Sequence, residues 1–158
     1  MRSAIWTHTR PWLHAFPQGL SAPIVDVVPP TGVAAVAHLD GSRMKDVDGV
    51  FTECYEAFRL PSYFGWNWAA LSDCLRDLQW MPADRYLIVV ENWSSVLSNL
   101  PEEREILLRV LAQAAEDWAN PQGNPGNLAI PFNVLFCCSE DGASKVADEI
   151  LRVQDGYA

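Results

Sequence analysis

Between Leu60 and Trp80 the chain reads LPSYFGWNWAALSDCLRDLQW, and here residue types and spacing could do chemistry. Asp73 and Asp77 stand four residues apart, so a helix would carry their carboxylates one turn apart on one side. Leu71, Cys74, Leu75 and Leu78 take helical spacing as a buried stripe. Ala69, Ser72, Asp73, Arg76 and Asp77 then fall on the opposite side, which is lean apart from its charges. Directly before this helix lies an aromatic loop with Tyr63, Gly65 and Trp66. Asn67 is placed to cap the helix and Trp68 borders the buried stripe. Rigid aromatics beside a carboxylate on a flat helix face have the makings of an interface centre. The plain alternative is a solvated helix carboxylate at Asp73, with Asp77 as its i+4 companion on a wet surface.

No other group in the chain offers a comparable case. His38 lies in an apolar run and reads as a satisfied core histidine. Glu91 follows a strand, where open α/β sheets often place functional groups. His8 and His14 make a poor metal pair. Cys54, Cys74, Cys137 and Cys138 have irregular spacing and no CxxC pair, so they read as small buried hydrophobes rather than zinc ligands or a disulfide framework. Cys137 and Cys138, being neighbours on a strand, point to opposite faces. No Ser-His-Asp order, glycine-rich phosphate loop or HExxH occurs, and no cofactor or metal is implied.

The elements that must position the 60–80 segment follow from periodicity. Val33–Leu39, Arg85–Glu91 and Phe132–Cys138 are short apolar runs, expected as strands buried on both faces. Between them, helices are expected over Asp46–Phe58, Asn67–Leu78 and Pro101–Trp118, with Glu102, Glu103 and Glu105 favoured by the dipole at the start of the last. Ser94–Leu97 suits a short helical turn, and Ala143–Leu151 a final helix. Strands separated by helices indicate a parallel sheet covered by helices. Residues 1–31 carry five prolines and no sustained period. They read as an N-terminal extension with one short strand at Pro23–Val28, followed by a single domain over 32–158.

The totals fit one globular core. The chain has 158 residues, 49% of them hydrophobic, with seven Trp. Twenty acidic residues face eleven basic ones, a formal net charge of −9. Such a balance disfavours direct nucleic-acid binding and suits a basic protein partner. No apolar run is long enough to span a membrane, no secretory signal is legible, and the cysteines suit a reducing compartment, so a cytoplasmic location is expected.

The pattern Leu60-Pro61-x-Tyr63-Phe64-Gly65-x-Asn67-x-x-Ala70-Leu71-x-Asp73-Cys74-Leu75 resembles the signature of barstar-type ribonuclease inhibitors. The similarity extends over roughly Val33 to Cys138 and is densest at 60–80. It implies a three-stranded parallel sheet packed by helices, with the N-terminal extension and C-terminal helix lying outside the core resemblance. It also implies a non-enzymatic protein, probed best as a stoichiometric inhibitor of a basic secreted-type or toxin ribonuclease, monomeric when free. Asp73 matches the family's principal carboxylate, which enters the nuclease's phosphate site. The expected partner-binding set is Tyr63, Gly65, Trp66, Asn67, Trp68, Ala69, Ser72, Asp73, Arg76, Asp77 and, on the long helix, Gln113. Three positions depart from the type pattern: Ala69 replaces an Asp, Ser72 an aromatic, and Gln113 a second acidic contact. Those departures keep open a barstar-fold adaptor for a non-nuclease protein; a third reading, a small enzyme using Glu91 or His38, would be marked by a ligand in a pocket at the strand ends.

Overall fold

The computed structural model describes residues 5–17, 32–121 and 128–154. Its described elements run β1 (Leu13–Pro17), β2 (Ala34–Asp40), α1 (Val47–Ala57), α2 (Trp68–Asp77), β3 (Arg85–Glu91), α3 (Arg104–Ala119), β4 (Phe132–Cys138) and α4 (Ala143–Gln154). The strands form one parallel sheet in the order β1-β4-β3-β2. β3 and β4 are central, which is why their sequences are apolar almost throughout.

Periodicity gives three strands, whereas the sheet has four. The additional strand, β1, lies within the segment that the sequence sets apart as an extension over 1–31. Five residues ending in Pro17 carry too little pattern to be read as a strand. What holds them is pairing in register with β4, from Leu13 opposite Val134 to Pro17 opposite Cys138. The strand expected at Pro23–Val28 lies outside the described residues.

The two sheet faces are covered differently. One packs against the four helices in a core that includes Phe51, Leu71, Leu75, Trp93, Leu111 and Phe136. The other holds a smaller cluster in which Ile5 and Trp6 cover Leu87, Val89, Leu135 and Cys137. Cys137 thus faces one layer and Cys138 the other. β2 departs from the expectation of burial on both faces. It is an edge strand, and Val36 and His38 on its outer face are exposed. His38 is accordingly no core histidine; its Nδ1 lies 3.6 Å from a Glu91 carboxylate oxygen on the open surface.

Buried charge is paired. Arg104 of α3 donates twice to Glu149 of α4, at 3.1 and 3.0 Å, and its guanidinium lies over the Trp93 ring. Trp93 Nε1 donates to the same carboxylate at 3.3 Å. Glu149, almost fully buried, is therefore compensated from two directions. Among the described residues no helix is long and apolar enough to cross a membrane.

His14 on β1 gives the edge a pH dependence. Its Nε2–H donates to Asn133 Oδ1 at 2.9 Å, and Asn133 Nδ2 donates to the Thr7 carbonyl at 2.8 Å. Burial holds the His14 pKa below its ordinary 6.5, partly offset by the Asn133 bond. Folded and unfolded chains are both neutral at His14 above that value. Below it the unfolded chain takes up a proton that the folded one resists, so stability falls. The urea midpoint of the parent is expected to drop more steeply than that of His14→Gln as pH falls below about 6.5.

Candidate functional site

Asn67 starts α2 as the sequence requires: its Oδ1 accepts from the Ala70 N–H at 2.8 Å, and its Nδ2 donates to the Gly65 carbonyl at 3.1 Å. A Cβ at Gly65 would stand 3.1 Å from that Nδ2, so the glycine leaves room for the capping side chain. Leu71, Cys74, Leu75 and Leu78 are buried, and the helix ends at Leu78 in the left-handed region with φ 47°. Trp118 Nε1 of α3 donates to the Leu75 carbonyl at 2.8 Å and fixes the inner side against its neighbour. With one side fully occupied, the opposite side of α2 can only face outward.

The aromatic loop before it is ordered by stacking. Trp66 has φ 55°, a conformation costing a large L-residue roughly 1–2 kcal/mol. Its ring stacks on Tyr55 at 5.3 Å and meets Phe64 at 5.3 Å. Phe64 is buried, while Tyr63 is 70% and Trp66 48% exposed. Trp68 turns inward: its ring packs edge-on to Phe51 at 5.1 Å and its Nε1 donates to Glu103 at 3.2 Å. It is half-buried, and its indole N–H is already engaged within the fold.

On the outer side, Ala69 is exposed and Ser72 half-buried. The Asp73 side chain is 75% exposed. Arg76 Nη2 donates to Asp73 Oδ1 at 2.8 Å, its Nη1 to Asp117 Oδ2 of α3 at 3.1 Å, and its Nε to the Ser72 carbonyl at 3.3 Å. Bonding to Asp117 is the main cause that raises the Arg76 pKa above its already high ordinary value; burial opposes the rise, and bonding to Asp73 adds to it. Gln113 Nε2 donates to Asp117 Oδ1 at 3.0 Å. Asp77 is half-buried and accepts from Gln79 at 3.1 Å.

The fold thus brings Asp73, Arg76 and Gln113 into one network, with Tyr63, Gly65, Trp66, Asn67, Ala69, Ser72 and Asp77 along the same helix and its leading loop. Asp117, which joins the network, was missed by sequence reasoning. Its signal was present: Gln113 and Asp117 are four apart and share a face of α3. What the sequence did not give was the packing of α3 beside α2. Chemically the face offers one open carboxylate, Asp73, and a partly exposed one, Asp117, with a guanidinium between them, suited to pairing with a cation on another molecule.

His38 and Glu91 sit elsewhere, at the C-terminal part of β2 and β3. A cavity of about 930 Å³, lined in part by Trp6, Asp84, Arg85, Trp118 and Ile130, opens at the opposite ends of the strands and includes neither residue. Among the described residues no group of three or more His, Cys, Asp or Glu is placed to hold a metal ion.

The family described as Barstar (barnase inhibitor) matches residues 34–137, well over half of the chain, from the start of β2 to the penultimate residue of β4. No curated protein matches the chain. Asn67→Ala is expected to lower stability by about 1 kcal/mol, because the Ala70 N–H loses its acceptor. A thermal melt followed by circular dichroism checks this, and an unchanged midpoint would remove the capping role.

Proposed function

The chain belongs to the barstar family of barnase inhibitors, and from that premise we propose that it is a stoichiometric inhibitor of a basic microbial ribonuclease, acting in the cytoplasm as a monomer until it meets its target. The observation that carries this reading is the Asp73 carboxylate: three-quarters exposed even with Arg76 bonded to one of its oxygens, near the middle of the outer face of α2, with Tyr63 and Trp66 exposed on the preceding loop. A ribonuclease must gather cationic side chains around a phosphate. A carboxylate on a rigid helix supplies the same negative charge without a scissile bond, so it occupies the site and nothing reacts. Only one oxygen of Asp73 is engaged by Arg76, and among the described residues Oδ2 accepts no hydrogen bond. The two aromatics add rigid contact area that excludes water around the ion pair.

A second reading, an adaptor for a non-nuclease protein, has its own support. Ala69 and Ser72 leave the N-terminal half of the face uncharged, and Arg76 neutralises part of the remainder. Screening basic ribonucleases one at a time against the purified protein separates the two readings, since an adaptor inhibits none of them.

For a ribonuclease that is inhibited, Asp73→Ala is expected to weaken binding by at least about 30-fold, because the nuclease's cationic cluster is buried without its partner. The inhibition constant measures this, and equal potency of variant and parent would dismiss the role given to Asp73. With a net charge of −9, association with that basic partner is expected to slow markedly as salt is raised, while dissociation changes little. Stopped-flow rates at several ionic strengths test the point; a salt-insensitive on-rate contradicts it.

A further inference from the structure

The guanidinium of Arg76 has every nitrogen engaged. Nε donates to the Ser72 carbonyl, Nη2 to Asp73 and Nη1 to Asp117, while Gln113 holds the far oxygen of Asp117. Arg76 is itself partly open to water, its side chain 39% exposed, so the bridge lies on the surface that a partner would cover. A cation already sits where an incoming cation is needed.

We propose that Arg76 is the specificity-determining residue of this face, an internal competitor for the cation that a partner brings to Asp73 and Asp117. The inference rests on the reading of the face as a cation-binding surface given above. Two consequences of the geometry support it. First, an incoming charge must either displace the fork of Arg76 or approach Asp73 from its unoccupied Oδ2 side against the repulsion of a neighbouring guanidinium. Second, an exposed ion pair contributes at most about 1 kcal/mol, so the competitor is displaceable by a well-placed guanidinium but not by a loosely placed one. A surface of three bare carboxylates, Asp73, Asp77 and Asp117, would attract any basic protein. With Arg76 among them, attraction depends on where the partner's charges lie, which is discrimination against wrong partners by repulsion.

The test uses nona-arginine peptide as the probe, with binding measured by calorimetry at low salt for parent, Arg76→Ala, Arg76→Gln and Arg152→Ala. The last variant, on α4, makes the same change in net charge away from the face. Arg76→Ala and Arg76→Gln are expected to bind the peptide about fivefold more tightly than Arg152→Ala does, a gain set by the ion pair removed. Adding Asp73→Asn to Arg76→Ala is expected to abolish most of that gain. Arg76→Gln keeps an amide that can still bond Asp117, so it carries the readout if loss of the α2–α3 bridge unfolds the alanine variant. Affinity of the Arg76 variants no greater than that of Arg152→Ala overturns the proposal, as does a gain that survives Asp73→Asn. Failure to inhibit any ribonuclease would strike the inhibitor reading alone, since the peptide measurement needs no nuclease.

Discussion

Arg76 spans the gap between α2 and α3, bonding a carboxylate on each, and the presentation of the outer face turns on that bridge. Beneath it the two helices are held by the buried stripe of α2 and by the Trp118 indole donating to the Leu75 carbonyl. The hydrophobic side fixes where α2 lies, and the bridge fixes how Asp73 is oriented. A helix packed on one side leaves charged side chains sampling many rotamers, and a charge pair on a loosely packed helix has no fixed position. Together they yield a carboxylate that is open to water yet held at Oδ1 by a guanidinium that a partner must displace or work around.

The rest of the molecule serves as a frame for that pair of helices. α3 is anchored at its start by Arg104, whose charge meets Glu149 of α4 and whose guanidinium covers Trp93. Pairing of this kind is costly to break from one side, because the remaining buried charge loses its counter-charge. α4 in turn packs against β1, and Gln154 accepts from the Leu13 N–H at 3.3 Å. The first described strand and the last described helix therefore brace one another at the edge of the sheet.

Much of this was legible from residues alone. β3 and β4 run over the spans that their continuous apolar character predicts, because central parallel strands leave no polar face to confuse the period. α2 and its Asn67 cap were equally readable, since capping chemistry is local. β1 was not readable, because its existence depends on a partner strand more than a hundred residues away. β2 was read as a strand, but its exposed outer face was not foreseen: the run AAVAHL looks buried until its place at the edge is known. At the site, the types and spacing of Tyr63, Trp66 and Asp73 gave the exposed face. Trp68 turned inward to Phe51 and Glu103, and Asp117 arrived from another helix; both are products of tertiary packing that no single segment encodes.

The four cysteines are buried and unpaired. Burial pushes the Cys54 thiol up to about 12 and that of Cys137 up to about 11. Cys74 is raised too, by burial first and then by the negative charges of Asp73 and Asp77. Oxidants and electrophiles react with thiolates, and at neutral pH these sulfurs hold almost none. Burial, seconded by the carboxylates that give the outer face its charge, thus keeps the sulfur beneath that face in its unreactive thiol form.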